Sequence, residues 1–177
     1  MTFMAEAMKK QASKLKLRYY GDPCLRKRSA AVKEVGVGER MLVRAMVDAM
    51  HEFKGVGLAA PQVGVNQQIF VADIGAGPIA VINPKIIRRY GAAYLEEGCL
   101  SIPEVIVNVK RPERIIVRYR DEDNEICERE YSDLMARVFL HETDHLHGKL
   151  IVDHASLVEK VKLRKQLKSL ERKYNAR

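Results

Sequence analysis

The chain has 177 residues, 47% of them hydrophobic, with no apolar run near the ~20 residues needed to cross a bilayer, so a membrane-spanning helix is excluded and one real core is affordable. Three cysteines, Cys24, Cys99 and Cys127, are odd in number and scattered, which argues against a disulfide framework and for a reducing compartment, the cytoplasm. The net charge of +8 sits at the ends: residues 155–177 carry eight Lys/Arg against two Glu, whereas residues 30–154 hold 15 basic and 19 acidic side chains.

In chain order, the basic N-terminal extension, residues 1–17, lacks the apolar region of a secretory signal; a Lys-rich transit peptide, and hence organellar import, is the alternative reading. "GDPCLRKRSA" reads as a turn and loop. In "GERMLVRAMVDAMHEFKG", Leu42, Met46, Ala49, Met50 and Phe53 form one helical stripe that Gly55 ends. "GVGLAAPQVGV" is too rich in Gly and Pro for a regular element. Its Gly55, Gly57 and Ala60 match a dinucleotide fingerprint, but they follow a helix and meet Pro61 at once, so that reading fails. Glycines that let a bound extended peptide approach the backbone fit better, with Gln62 offering an amide donor. "QIFVADI" and "IAVINPKII" read as strands, "AAYLEEGCLSIP" starts extended and turns, and "RIIVRYR" and "EICEREY" form a hairpin across "DEDN". Ser132 is placed to cap a helix ending at Gly148, "KLIVD" reads as a short strand, and Ser156 with Glu159 forms a capping box opening a last basic helix, residues 156–177.

The helix from Ser132 carries "HETDH", an H-E-x-x-H motif. Its two histidines, four apart, share a helix face and can grip one metal ion, with Glu142 beside them as a base. Phe139, Leu140 and Leu146 crowd the motif, so the helix is buried and its polar side chains need partners. A third ligand is required. The position six residues after His145 is Ile151, Glu159 and Glu171 lie on the exposed basic helix, and His147 faces elsewhere, as a solvated histidine like His51 and His154. Cys99 is the remaining candidate, although a lone cysteine is more often a small buried hydrophobe, the reading given to Cys24 and Cys127. Clustered strands between helices indicate an α+β fold: antiparallel or mixed strands around a buried HExxH helix, with a C-terminal helix, in one domain over residues 1–177.

Three motifs then stand in order: "GVGLAAPQ" at 55–62, "EGCLS" at 97–101 and "HETDH" at 141–145. Together they resemble the signature motifs of the peptide deformylases, a likeness that extends to "GDPCLRK", "INP" and "HLHGKLIVD" and covers most of residues 18–155. The resemblance implies hydrolysis of the formyl group from the N-terminal formylmethionine of nascent polypeptides, releasing formate. It maps the metal ligands onto Cys99, His141 and His145, the general base onto Glu142, and the oxyanion donors onto the Leu100 N–H and the Gln62 amide. The substrate backbone would lie along Gly55, Val56 and Gly57, and a methionine pocket is implied at Val56, Leu95, Leu134 and Val138. It implies one divalent metal per chain, iron(II) first and zinc, nickel or cobalt as alternatives, together with a monomer, no membrane, and ribosome contact through the C-terminal helix.

Asp144 is expected to support the ligands from behind, with a partner that the sequence does not identify. The chain departs from many relatives at Leu140, where they have Gln, and at Ile106, where some place an Arg; its loop "DIGAGPIAV" is also shorter. None of these touches the expected ligands, base or donors. Two other readings are a generic HExxH metallopeptidase and a non-catalytic ribosome-associated protein on the same scaffold.

Overall fold

A computed structural model describes residues 15–175, so most of the basic N-terminal extension lies outside the described residues. The first helix, α1 (Val37–Glu52), buries Val43, Met46, Ala49 and Met50, while Leu42 and Phe53 of the expected stripe are partly covered. Its start is closed by the Glu39 carboxylate, which accepts the Gly36 N–H at 3.0 Å. Five strands then make one antiparallel sheet in the order β1 (Gly57–Ala59), β2 (Ile69–Ala72), β3 (Ile79–Tyr90), β6 (Arg114–Arg120) and β7 (Ile126–Ser132). The β6–β7 hairpin turns at the residues expected of it, in register from Arg114–Ser132 to Arg120–Ile126.

Beyond the expected strands stands β5 (Ile102–Arg111), which pairs with β4 (Ala93–Cys99) in a separate two-stranded sheet. The alternation of Val105, Val107 and Val109 with exposed residues gives β5 one buried face. In the "INP" segment, Asn83 adopts φ 52° and clamps Val32, accepting its N–H at 2.9 Å and donating to its carbonyl at 2.7 Å.

Helix α2 (Asp133–Leu146) lies against β1, β2, β6 and β7, and its buried side carries Phe139 into a cluster with Phe70, Tyr119 and Tyr131. Phe70 meets Phe139 edge to face at 4.9 Å between centroids, a favoured aromatic geometry. The helix begins after Ser132 without the expected side-chain cap. The Ser132 hydroxyl instead donates to the Asp133 carboxylate at 2.9 Å. It ends at Leu146, and the chain turns away at Gly148, where φ of 71° favours glycine and a Cβ would collide with the Arg26 carbonyl.

"KLIVD" is a 3-10 turn at Ile151–Asp153 rather than a strand. The Asp153 carboxylate accepts the Leu150 N–H at 2.8 Å and closes the turn, while Leu150, Ile151 and Val152 are all buried, which a half-exposed strand could not achieve. Helix α3 (Leu157–Asn175) opens with the expected capping box: Ser156 N–H to Glu159 at 2.8 Å and Glu159 N–H to the Ser156 hydroxyl at 3.2 Å. Its docked stripe is Leu163, Leu167, Leu170 and Tyr174, in the cluster with β5 and Tyr20, with Tyr174 stacked on Tyr19 at 3.9 Å. Leu157 and Val161 are 82% and 74% exposed, because helical phase places them on a different face of α3 from Leu163, Leu167 and Leu170.

Phe139 anchors the motif helix to the sheet, so Phe139→Ala should cost about 3–5 kcal/mol of stability in urea unfolding, the range for truncating a buried aromatic. A loss under 1 kcal/mol would show that the aromatic cluster contributes little.

Candidate metal centre

Residues 141 and 145 are one helical turn apart on α2, and Cys99 ends β4, so the fold must bring two remote segments together to assemble a third donor. It does so. One ligand atom each from Cys99, His141 and His145 lie within 4.8 Å of one another, and Cys99 Sγ is 3.2 Å from His145 Nε2. A tetrahedral ion with bonds of about 2.0–2.3 Å to nitrogen and sulfur spaces its ligand atoms roughly 3.3–3.6 Å apart, so this thiolate and imidazole set fits such an ion. Burial alone would push the Cys99 thiol up, but the imidazoles of His145 and His141 outweigh it and bring the thiol down from 9.0 to about 5, favouring the thiolate that binds metal.

The orientation of His141 is set from behind. Its Nδ1 lies 3.1 Å from Glu97 Oε2. Burial opposes the charge on Glu97, yet hydrogen bonds from His141 and Arg111 hold it ionised, down at about 2. An ionised carboxylate only accepts, so His141 Nδ1 donates and the Nε2 lone pair faces the cluster. Glu97 is itself gripped by Arg111 through two bonds of 2.7 and 3.0 Å, and by Arg137 at 2.7 Å. Arg111 continues to Asp144 at 2.8 Å, and Asp144 also meets His154 Nε2 at 2.8 Å. The partners of Asp144 that the sequence left unread are therefore Arg111 and His154, both on Oδ2, and His154 is held there rather than simply solvated. His147, by contrast, turns away and bonds the Thr143 carbonyl at 2.8 Å. Glu159 and Glu171 lie on α3 outside the cluster, Glu159 being engaged in the capping box.

Glu142 is buried, and its Oε2 has no hydrogen-bond partner among the described residues. Burial raises its pKa; the neighbouring histidines pull the other way without cancelling it. An unpartnered carboxylate oxygen beside a three-ligand set leaves room for a proton-carrying reactant. Gly57 makes this possible. A Cβ there would sit 2.9 Å from both the Glu142 carboxyl carbon and Val138 Cγ1, and closer still to Glu142 Oε1. Gly57 is thus small for the sake of Glu142, a nearer reason than the approach of a peptide.

Gln62 is almost fully buried, and the Ala59 N–H donates to its Oε1 at 2.8 Å. That bond fixes the amide the other way round at its far side, where Nε2 points to Ser101 Oγ at 3.2 Å and to Cys99 Sγ at 3.6 Å. Leu100 lies in the turn between β4 and β5, with its side chain against Gly55.

A cavity of about 490 Å³ opens on this cluster, lined by Gly55, Val56, Gly57, Gln62, Leu95, Cys99, Leu100, Leu134, Val138, His141 and Glu142, with His145 behind Cys99. The residues expected of the site line it, except His145, which reaches it through Cys99. Its walls also include Lys54, Glu96, Glu97, Gly98, Pro103 and Arg137, to none of which the sequence assigned a role, although Glu97 and Gly98 fall within "EGCLS". Val56, Leu95 and Leu134 are half-exposed into the opening, an apolar rim around polar chemistry. Leu140 faces the core beneath α2, away from the cavity, whereas Ile106 lies on the outer face of β5 against Gly98. His51 pairs with Asp73 at 3.2 Å on the surface, and the Cys24 and Cys127 thiols lie against Asn66 and Asp121, outside the ligand set.

The sequence model of the family described as polypeptide deformylase matches residues 14–161. The chain belongs to that family. A peptide deformylase from Thermotoga maritima is 44% identical over 158 residues, covering 89% of this chain and 96% of that protein. Among solved structures, a Synechococcus elongatus peptide deformylase in complex with actinonin superposes with TM-score 0.82 at 40% identity, over 86% of this chain and 87% of that one. A Legionella pneumophila peptide deformylase gives 0.84 at 34% identity, over 92% and 98%. As a polypeptide deformylase, the protein is a metal-dependent hydrolase that removes the formyl group from N-formylated peptides, and its α+β fold with antiparallel sheets and a C-terminal helix is that of its relatives. Nothing found favours the two other readings.

Gly57→Ala should therefore leave the protein folded but displace Glu142, lowering kcat on a formyl-Met peptide by about 10²-fold, the order expected when a reacting group shifts by an ångström. Wild-type turnover in that variant would show that Glu142 needs no such clearance.

Proposed function

We propose that Cys99, His141 and His145 hold one divalent cation and that the surrounding residues act as follows. The observation that supports this most is that the sulfur and two nitrogens lie together at a cavity that Cys99, His141, the unpartnered Glu142 and Gln62 all line. Bound there, the cation supplies Lewis-acid activation of water near neutral pH. Glu142 takes up the proton of the attacking water and delivers it to the departing amine, a role suited to a carboxyl raised by burial. The Gln62 amide, held by Ala59, and the Leu100 N–H donate to the formyl oxygen as negative charge develops. The peptide lies extended along Gly55, Val56 and Gly57, where β1 is the outermost strand of its sheet, and the methionine side chain enters among Val56, Leu95, Leu134 and Val138.

Iron(II) is our proposal for the working metal, with zinc, nickel or cobalt as ions that one thiolate and two imidazoles also accept. Metal analysis of anaerobically purified protein should return iron in proportion to activity; an air-stable preparation equally active with zinc alone would refute it. Glu142→Ala should keep the metal but lower turnover by about 10²–10⁴-fold, the usual contribution of a positioned acid–base group. Near wild-type turnover would remove Glu142 from the chemistry. The assay compares formyl-Met peptides with unformylated ones, since a deformylase leaves internal peptide bonds intact.

Residues 1–177 are further proposed to act as one catalytic domain, a cytoplasmic monomer that meets nascent formylmethionyl chains at the ribosome through α3. No helix of the described residues is long and apolar enough to cross a membrane. The docked face of α3 leaves Lys160, Lys162, Arg164, Lys165, Lys168, Arg172 and Lys173 exposed, a cationic surface suited to phosphate. Because Leu167 and Leu170 are buried, deleting the helix would uncover core, and charge reversal is the cleaner test. Lys162, Lys165 and Lys168 changed together to Glu should abolish salt-sensitive co-sedimentation with ribosomes while short formyl-Met peptides are still hydrolysed. Unchanged sedimentation would refute the docking role.

A further inference from the structure

We propose that His154 is a positioning residue for the metal centre, acting through three side chains that separate it from the ligand His141. The inference rests on Cys99, His141 and His145 being the ligands. From the surface inward, His154 Nε2 meets Asp144 Oδ2 at 2.8 Å, and the same oxygen accepts from Arg111 Nη1 at 2.8 Å. Arg111 closes on both oxygens of Glu97, and Glu97 Oε2 accepts from His141 Nδ1 at 3.1 Å. Side-chain exposure falls along this chain, from 30% at His154 and 22% at Asp144 to 5% at Arg111 and at Glu97. Only the outermost pair is open to solvent.

The outer end is where such a chain is weakest. Among the described residues, Asp144 has two side-chain partners, Arg111 and His154. With Arg111 alone, a partly exposed carboxylate keeps a rotameric route to water. His154 blocks that route. Its own placement is firm, because it ends the 3-10 turn at Ile151–Asp153, its N–H bonds the Ile151 carbonyl at 3.1 Å, and buried Val152 and Ala155 fix the backbone on either side. As the Asp144 carboxylate is ion-paired to Arg111 at 2.8 Å and accepts, Nε2 carries the donated proton. Each link is a directed hydrogen bond between planar groups. Orientation is therefore passed inward until it reaches the imidazole whose free nitrogen faces the metal cluster.

The test measures metal retention as well as turnover, on full-length, metal-loaded protein. In His154→Ala, the rate of metal loss to EDTA should rise about 3- to 10-fold, below the roughly 10–100-fold typical of partners that touch a ligand directly. In the same variant kcat should fall while KM for a formyl-Met peptide holds. His154→Gln, whose amide places a donor near the position of Nε2, should restore both. Because the effect passes through Asp144, His154→Ala combined with Asp144→Asn should be no worse than Asp144→Asn alone. Unchanged metal loss in His154→Ala would overturn the proposal. So would additive effects in the double variant, or equal defects in the Ala and Gln variants with a parallel fall in Tm. Cys99→Ser is the control for the ligand set: its failure to release metal would refute the ligand assignment itself, a result separable from any behaviour of His154.

Discussion

Arg111 and Arg137 converge on one buried carboxylate, Glu97, and this pairing joins the two-stranded β4–β5 sheet to the motif helix. Arg111 comes from β5, Glu97 from β4 and Arg137 from α2, so three elements meet in one set of charge-assisted hydrogen bonds. Charges this deep are costly to desolvate, and such a cluster is stable only when every member is paired. Losing either arginine would leave excess negative charge beside a thiolate. The same cluster fixes His141, so the interaction that holds the layers together also sets the face that the histidine presents to the ligand set.

The second constraint is space. A helix bearing His141, Glu142 and His145 must come close to β1 for those side chains to share a cavity with Gln62, and Gly57 permits that approach. On the other side of α2, Phe139 and Leu140 fill the cluster against the sheet. The helix is therefore wedged between an apolar surface that supplies most of its burial and a polar one that supplies its chemistry. Their separation by helical period is what lets one fourteen-residue element serve both.

How much of this was legible in the sequence depends on range. The HExxH spacing, the stripe of α1, the β6–β7 hairpin and the α3 capping box are local patterns, and each appears in the structure where it was expected. The convergence of Cys99 with His141 and His145 is not local. Spacing left the third donor open, and the three motifs taken together named Cys99, which the structure places beside His145. Glu97, Arg111 and Arg137 went unnoticed, although signals existed: Glu97 shares a strand face with Cys99 two residues on, Arg111 continues the buried face of Val105, Val107 and Val109, and Arg137 lies one turn before His141. A charge on a buried face requires a partner, and that rule would have found all three. "KLIVD" misled because four apolar or capping residues in a row suit a tight turn as well as a strand, and the deciding Asp153 bond is invisible in composition.

The two sheets share no strand pairing, and their outermost strands, β1 and β4, both contribute walls to the same cavity. The cleft is therefore a gap in the main-chain hydrogen bonding of the protein. An extended chain lying in it would run between the edges of β1 and β4, and for the time it remained there it would serve as one more strand. Occupancy and cohesion become linked quantities: whatever fills the gap ties the β4–β5 hairpin to the rest of the molecule. A slowly released peptide-like compound should accordingly raise resistance to heat and to proteolysis across the hairpin, far from the atoms it touches.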